Sequence, residues 1–96
     1  MTSAEYVNCA GLPPGSLLEV ETRNRRYLIE CLGGDAIRIS GHPDYCPIPV
    51  TGRVMMSGLI ERGGHLHLLL ENQRPMTTSR VTRVRVQAAK PPETIQ

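Results

Sequence analysis

The stretch His65-Leu66-His67-Leu68-Leu69-Leu70-Glu71 decides the fold. Successive side chains of a β-strand point to opposite faces, so Leu66, Leu68 and Leu70 share one face while His65, His67 and Glu71 share the other. The reading is a central strand whose even-numbered leucines enter the core. Gly63-Gly64 before it and Asn72-Gln73-Arg74-Pro75 after it carry turn chemistry. One strand is therefore expected to arrive over 50–56 and another to leave over 76–86, making an antiparallel meander.

Composition bounds what such a sheet can do. The 96 residues suffice for one domain, and a domain of this size hides roughly 60 to 65% of the surface its unfolded chain exposes. Apolar residues make up 40% of the chain, but Phe and Trp are absent and Tyr6, Tyr27 and Tyr45 are the only aromatics, so the core must be aliphatic. The net charge of +2 is unevenly spread: Arg74, Arg80, Arg83, Arg85 and Lys90 lie between Glu71 and Glu93 without an acid among them. Ten of the eleven basic residues are Arg, which suits forked recognition of phosphate or carboxylate, although a GC-rich coding sequence gives the same skew. Cys9, Cys31 and Cys46 are an odd number, and residues 1–10 show neither a basic nor an apolar leader region. Reduced thiols in the cytoplasm are the expectation. Tyr6-Val7-Asn8 before Cys9 does not resemble a lipidation signal, and no window approaches transmembrane length.

Taken in order, residues 1–15 are read as an N-terminal arm, with loop composition at Gly11-Leu12-Pro13-Pro14-Gly15. Residues 16–22 alternate, Leu18 and Val20 inward and Glu19 and Glu21 outward. Arg23-Asn24-Arg25-Arg26 closes a hairpin, with Asn24 expected in the left-handed region. Over 27–32 the face of Tyr27, Ile29 and Cys31 is read as buried. Gly33-Gly34 signals a second hairpin, after which Ile37 and Ile39 point inward and Arg38 outward. The run 41–49 holds three prolines and is expected to be a rigid surface connection, so Cys46 is expected to be reachable and Cys31 inert. Val50, Val54 and Met56 resume alternation, and Ser57-Gly58 is read as a bulge that re-aims Leu59 and Ile60. The odd spacing from Val81 to Val84 implies a bulge or a change of face near Thr82. Residues 87–96 are read as a tail.

Six short strands joined mostly by tight turns predict an all-β fold, a small, strongly bent antiparallel barrel or half-barrel over 16–86. Architecturally this resembles the Sm-like and SH3-like small barrels. In Glu21-Thr22-Arg23-Asn24 followed by Tyr27, in Ser40-Gly41, and in Thr78-Ser79-Arg80-Val81 followed by Val84, the chain also resembles a group of short uncharacterised bacterial proteins. That resemblance covers 16–86 and implies the barrel and no particular activity.

Three sets of residues carry chemistry. His65, His67 and Glu71 place two imidazoles and a carboxylate on one strand face, about 6 to 7 Å apart for successive same-face positions, which suits a divalent metal. The spacing resembles the first metal motif of cupins, yet Gly58 stands one residue too far upstream and the second motif is missing. His42 and Cys46 would add ligands from the proline-rich run. The plainer reading is that alternation puts polar side chains on the wet face. Arg80, Arg83 and Arg85, with Arg23, Arg25 and Arg26, form the second set, a basic surface for anions or nucleic acid. Its plainer reading is a solvated face of cross-strand pairs with Glu19, Glu21 and Glu30. For nucleophilic catalysis only His42 and Cys46 lie close in sequence, without an oxyanion frame. No catalytic residue is assigned.

The functional expectation is a non-enzymatic binding or assembly module, nucleic-acid-associated through its Arg-rich strand. The alternative is a metal-dependent small enzyme or sensor, for which the only cofactor would be a divalent metal. Nucleic acid or another protein are the candidate partners, with no membrane. Self-association into a dimer or small ring is expected on two grounds: Leu28, Leu32, Met55 and Ile60 fall on the less buried side of their strands, and 76–86 reads as an unprotected edge.

Overall fold

The computed structural model describes residues 2–55, 58–71 and 73–87. They form nine strands: β1 (Thr2–Ala4), β2 (Tyr6–Asn8), β3 (Leu17–Thr22), β4 (Arg26–Gly33), β5 (Ala36–Ser40), β6 (Val50–Val54), β7 (Leu59–Glu61), β8 (His65–Leu70) and β9 (Pro75–Gln87). A 3-10 turn, Cys9–Gly11, follows β2. The fold is all-β, as expected. Its main sheet runs β1-β9-β3-β4-β5-β6-β8, and β8 also pairs with β9, so the hydrogen bonds of six strands form a ring with β1 added outside it. The second sheet is the short pair β2-β7.

The ring is not a regular barrel, and β9 explains why. Its first part pairs with β8, from Leu69↔Pro75 to His65↔Arg80. Its second part pairs with β3, from Thr22↔Val81 to Leu17↔Gln87, and with β1 on the opposite edge over Val84–Val86. The unprotected edge expected over 76–86 is thus a correction: every residue from 75 to 87 lies in a stretch paired on at least one side. What stays without a strand, among the described residues, is the edge of Pro75–Ser79 that faces away from β8.

Two insertions let β9 serve both neighbours. Between Glu21↔Arg83 and Thr22↔Val81 it carries Thr82 as an extra residue, the bulge implied by the Val81–Val84 spacing. A second extra residue lies between His67↔Thr77 and His65↔Arg80, where Thr78 and Ser79 oppose Leu66 alone. Each insertion shifts the side-chain phase, so Met76, Thr78, Val81 and Val84 all point inward although they are not evenly spaced. At the second bulge the Thr78 hydroxyl replaces the missing ladder partner. It accepts from the Leu66 N–H at 3.1 Å and donates to the Ser79 carbonyl at 2.8 Å.

The core follows the expected faces. Leu66, Leu68 and Leu70 meet Leu18 and Val20 of β3, Tyr27, Ile29 and Cys31 of β4, Ile37 and Ile39 of β5, and Val54 of β6. Burying each such aliphatic side chain contributes on the order of 1.5 to 3 kcal/mol. Val7, Cys9 and Ile60 extend this core from the small sheet. Ile60, expected on the less buried side, is 1% exposed, because β7 leaves the main sheet to pair with β2 rather than continuing a bulged strand. Ser57 and Met56 lie outside the described residues, as does the tail beyond Gln87. Leu28 and Met55 are exposed as expected, and Leu32 is half-buried.

Cys46 requires a correction as well. It is fully buried. The 41–49 run folds inward as a tight loop, with the Gly41 N–H bonding the Cys46 carbonyl and the Cys46 N–H bonding the His42 carbonyl, both at 3.0 Å. Gly41 has φ +127, and a Cβ there would collide with the Arg26 carbonyl oxygen. Only glycine lets the loop lie this close to β4. Asn24 is not left-handed either, since Gln73 is the one non-glycine residue with positive φ among those described.

The bulge at Thr78 gives a direct test. Thr78→Val keeps the shape and leaves the buried Leu66 N–H without an acceptor, so it should cost about 1 to 3 kcal/mol in urea unfolding, whereas Thr78→Ser should cost less. Equal stability of the valine variant and the parent would show that the hydroxyl does not hold the bulge.

Candidate functional site

The β3–β4 turn is fixed by Thr22. Its hydroxyl donates to the Arg25 carbonyl at 3.1 Å and accepts from the N–H groups of Arg25 at 3.0 Å and Asn24 at 3.4 Å. With these bonds made, the turn closes without a left-handed residue. The Arg23 N–H then bonds the Arg80 carbonyl at 3.1 Å, and the Asn24 side-chain amide donates to the Ser79 hydroxyl, so the turn is tied to β9 beside its Thr78-Ser79 bulge.

Next to this tie the ring opens into a polar cleft of about 260 Å³. Asn24, Arg25 and Tyr27 line one wall, Met76, Thr77, Thr78 and Ser79 the other, and His42 and Tyr45 complete it. The strandless edge of β9 is this second wall. The loop residues are held in place through His42, whose Nδ1 accepts from the N–H groups of Asp44 at 3.1 Å and Tyr45 at 3.3 Å. Its ring proton is thereby placed on Nε2. The His42 and Tyr45 rings meet edge to face at 4.9 Å, and the Arg74 guanidinium lies 4.0 Å over the Tyr45 ring. No carboxylate lines the cleft among the described residues.

The six arginines of the expected basic surface divide into two groups. Arg26 lies 3.4 Å from Glu21 and 3.8 Å from Glu19, Arg83 lies 3.8 Å from Glu21, and Arg85 lies 3.2 Å from Glu19. The register causes this, because Glu19 and Glu21 on β3 stand opposite Arg85 and Arg83 on one side and Glu21 stands opposite Arg26 on the other. These three follow the cross-strand reading, each pair worth about 0.2 to 1 kcal/mol. Arg23, Arg25 and Arg80 have no carboxylate partner among the described residues; Arg80 instead donates to the Gly63 carbonyl at 2.9 Å. Arg25 is in the cleft wall, and Arg23 and Arg80 are joined beside it.

His65 and His67 lie on the exposed outer face of β8, with His65 across from Arg80. The Nδ1 of His65 donates to the Thr78 carbonyl at 2.9 Å, and that of His67 lies 3.2 Å from the Thr77 hydroxyl. Glu71, just past the strand, accepts a hydrogen bond from the Thr51 hydroxyl. His42 is engaged in its own loop and Cys46 is in the core. Among the described residues no three His, Cys, Asp or Glu side chains come together as a metal-holding group.

Asn24, Thr77, Ser79 and Tyr45 went unnoticed as site residues. Turn and strand propensity accounts for each of them in sequence, and only the juxtaposition of the β3–β4 turn with β9 gives them a common surface. No helix among the described residues is long and apolar enough to cross a membrane. No protein-family model, no curated protein and no solved structure matches this chain.

Burial holds the Tyr27 phenol above its ordinary value, with nearby Cys46 adding to the rise and Arg25 opposing it. Burial likewise raises the Cys46 thiol, against a smaller lowering by the His42 backbone. Both groups favour their neutral forms in the folded state. Their contribution is therefore intact below the unfolded values, about 8.5 for a thiol and about 10 for a phenol, and is lost as pH rises through the higher folded values. The unfolding midpoint should fall across alkaline pH, with a shallower fall in Tyr27→Phe. A flat profile into the phenol range, in parent and variant alike, would contradict this account.

Proposed function

We propose that the protein is a non-enzymatic binding module that grips the phosphates of a nucleic-acid backbone at the cleft beside the β3–β4 turn. The division of the arginines carries this reading. Arg26, Arg83 and Arg85 are paired with Glu19 and Glu21, whereas Arg25 lines a cleft that has amide and hydroxyl groups and no carboxylate, and Arg23 and Arg80, also without a carboxylate partner among the described residues, are joined through their backbones beside it. Guanidinium groups with neighbouring neutral donors suit phosphate oxygens. The exposed His65 beside Arg80 adds to the same side of the molecule. Tyr45 is covered by Arg74 on one face, so base stacking is secondary and sequence preference should be weak. Three free cysteines suit a reducing compartment, and we assign the module to the cytoplasm.

Fluorescence anisotropy with a labelled single-stranded oligonucleotide tests the reading. Arg23→Ala, Arg25→Ala and Arg80→Ala should each weaken binding and lower the salt slope by about one, while Arg83→Ala leaves the slope unchanged. Loss of binding through Arg83 and Arg85 instead, or affinity indifferent to salt, would overturn it.

A separate feature favours self-association. On the outer face of β3, β4 and β5, Leu17, Leu28 and Pro49 line an apolar groove of about 280 Å³ whose rim carries Glu19, Glu30 and Arg38. Leu28 is 58% exposed in its wall. A second copy related by a two-fold axis would cover Leu28 and set charges of opposite sign across the rim. Light scattering at micromolar concentration should give a dimer mass that Leu28→Glu reduces to the monomer; a monomer in the parent protein removes the proposal.

A further inference from the structure

We propose that Cys9 and Cys31 form a redox-controlled latch, closing to a disulfide that staples the N-terminal segment to β4. Both thiols are fully buried, free, and part of the same core cluster. Cys9 starts the 3-10 turn that packs on β4, and Cys31 is on the inward face of β4. The two thiols act on one another, Cys31 being the largest influence that holds the Cys9 thiol far above its ordinary value and Cys9 the largest that lowers the Cys31 thiol. Two buried thiols on separate elements that pack against each other are the starting arrangement for a disulfide. Cys46 is part of the core too, but it neighbours Tyr27 and the His42 loop rather than this pair.

Access to the pair is governed by weak ties. β2 meets β7 over three residues, Tyr6↔Glu61, Val7↔Ile60 and Asn8↔Leu59. The Asn8 side chain caps the Ala10 N–H at 3.0 Å, and the Leu12 N–H bonds the Cys9 carbonyl at 3.2 Å. Glu5 and Arg62 add an ion pair at 3.0 Å with both side chains more than half exposed. Upstream of these ties β1 adds three pairs with β9, and a segment held by two three-residue ladders opens more readily than the ring itself. When it lifts, one thiolate attacks a low-molecular-weight disulfide, forming a mixed disulfide and releasing one thiol. As the segment returns, the other thiolate displaces the second thiol and closes the Cys9–Cys31 bond. The two cysteine protons end on the two released thiols, and the small disulfide takes the two electrons. Reduced, the segment is held by packing and can lift; oxidised, it is fixed across the end of the core.

The full-length protein treated with oxidised glutathione, in buffer and again in urea below the unfolding transition, tests the latch by non-reducing peptide mapping. The expected product is lighter by two hydrogens, contains a linked Cys9–Cys31 peptide, unfolds at higher temperature, and forms equally in Cys46→Ser. In Cys9→Ser the reaction should stop at a glutathione adduct on Cys31. Linkage through Cys46, stable glutathione adducts on both Cys9 and Cys31 of the parent, or no oxidation even in urea would each overturn the proposal.

Discussion

Ring closure depends on one strand satisfying two different neighbours in succession. A straight β9 could continue along β8 or along β3, but its side chains would then drift out of phase with the core. The extra residues at Thr78-Ser79 and Thr82 reset that phase twice. The hydroxyl of Thr78 keeps the first reset from leaving a buried amide unsatisfied. The irregularity is thus confined to two points, and the six-strand ring stays filled by an aliphatic core in which Tyr27 is the one buried aromatic.

The same change of partner creates the cleft. Where β9 still belongs to β8, its other edge has no strand, and the β3–β4 turn and the His42 loop stand across the gap. Charge follows the pairing: where β3 and β9 run side by side, Glu19 and Glu21 absorb the arginines, and where they diverge, no acid is available. Fold irregularity and the basic, acid-free surface have a common origin.

Much of this was legible in the sequence. Period-two alternation placed Leu66, Leu68 and Leu70, as well as Tyr27, Ile29 and Cys31, on the correct face, and the Val81–Val84 interval revealed one bulge. The other bulge was silent, because Thr78 and Ser79 are unremarkable strand residues and their register is set by Leu66, a dozen positions away. Cys46 was misplaced because proline content suggests a surface run, whereas the His42 ring bonds the backbone and turns the loop inward. The basic set was drawn too wide for a similar reason. Counting charges along a chain cannot tell that Arg85 will face Glu19 while Arg25 faces none; only long-range register separates them.

The pairing of Thr2 with Val86 and of Leu17 with Gln87 also constrains how the chain is made. During synthesis β3 to β8 emerge first and can only form an open curl whose final neighbour has not yet left the ribosome. Contacts between distant parts of a chain form slowly, and exposed strand edges in the interval invite pairing with other chains. Closure of the ring therefore waits for β9 to slot between β8 and β3, and until it does the facing edges of those two strands stand open.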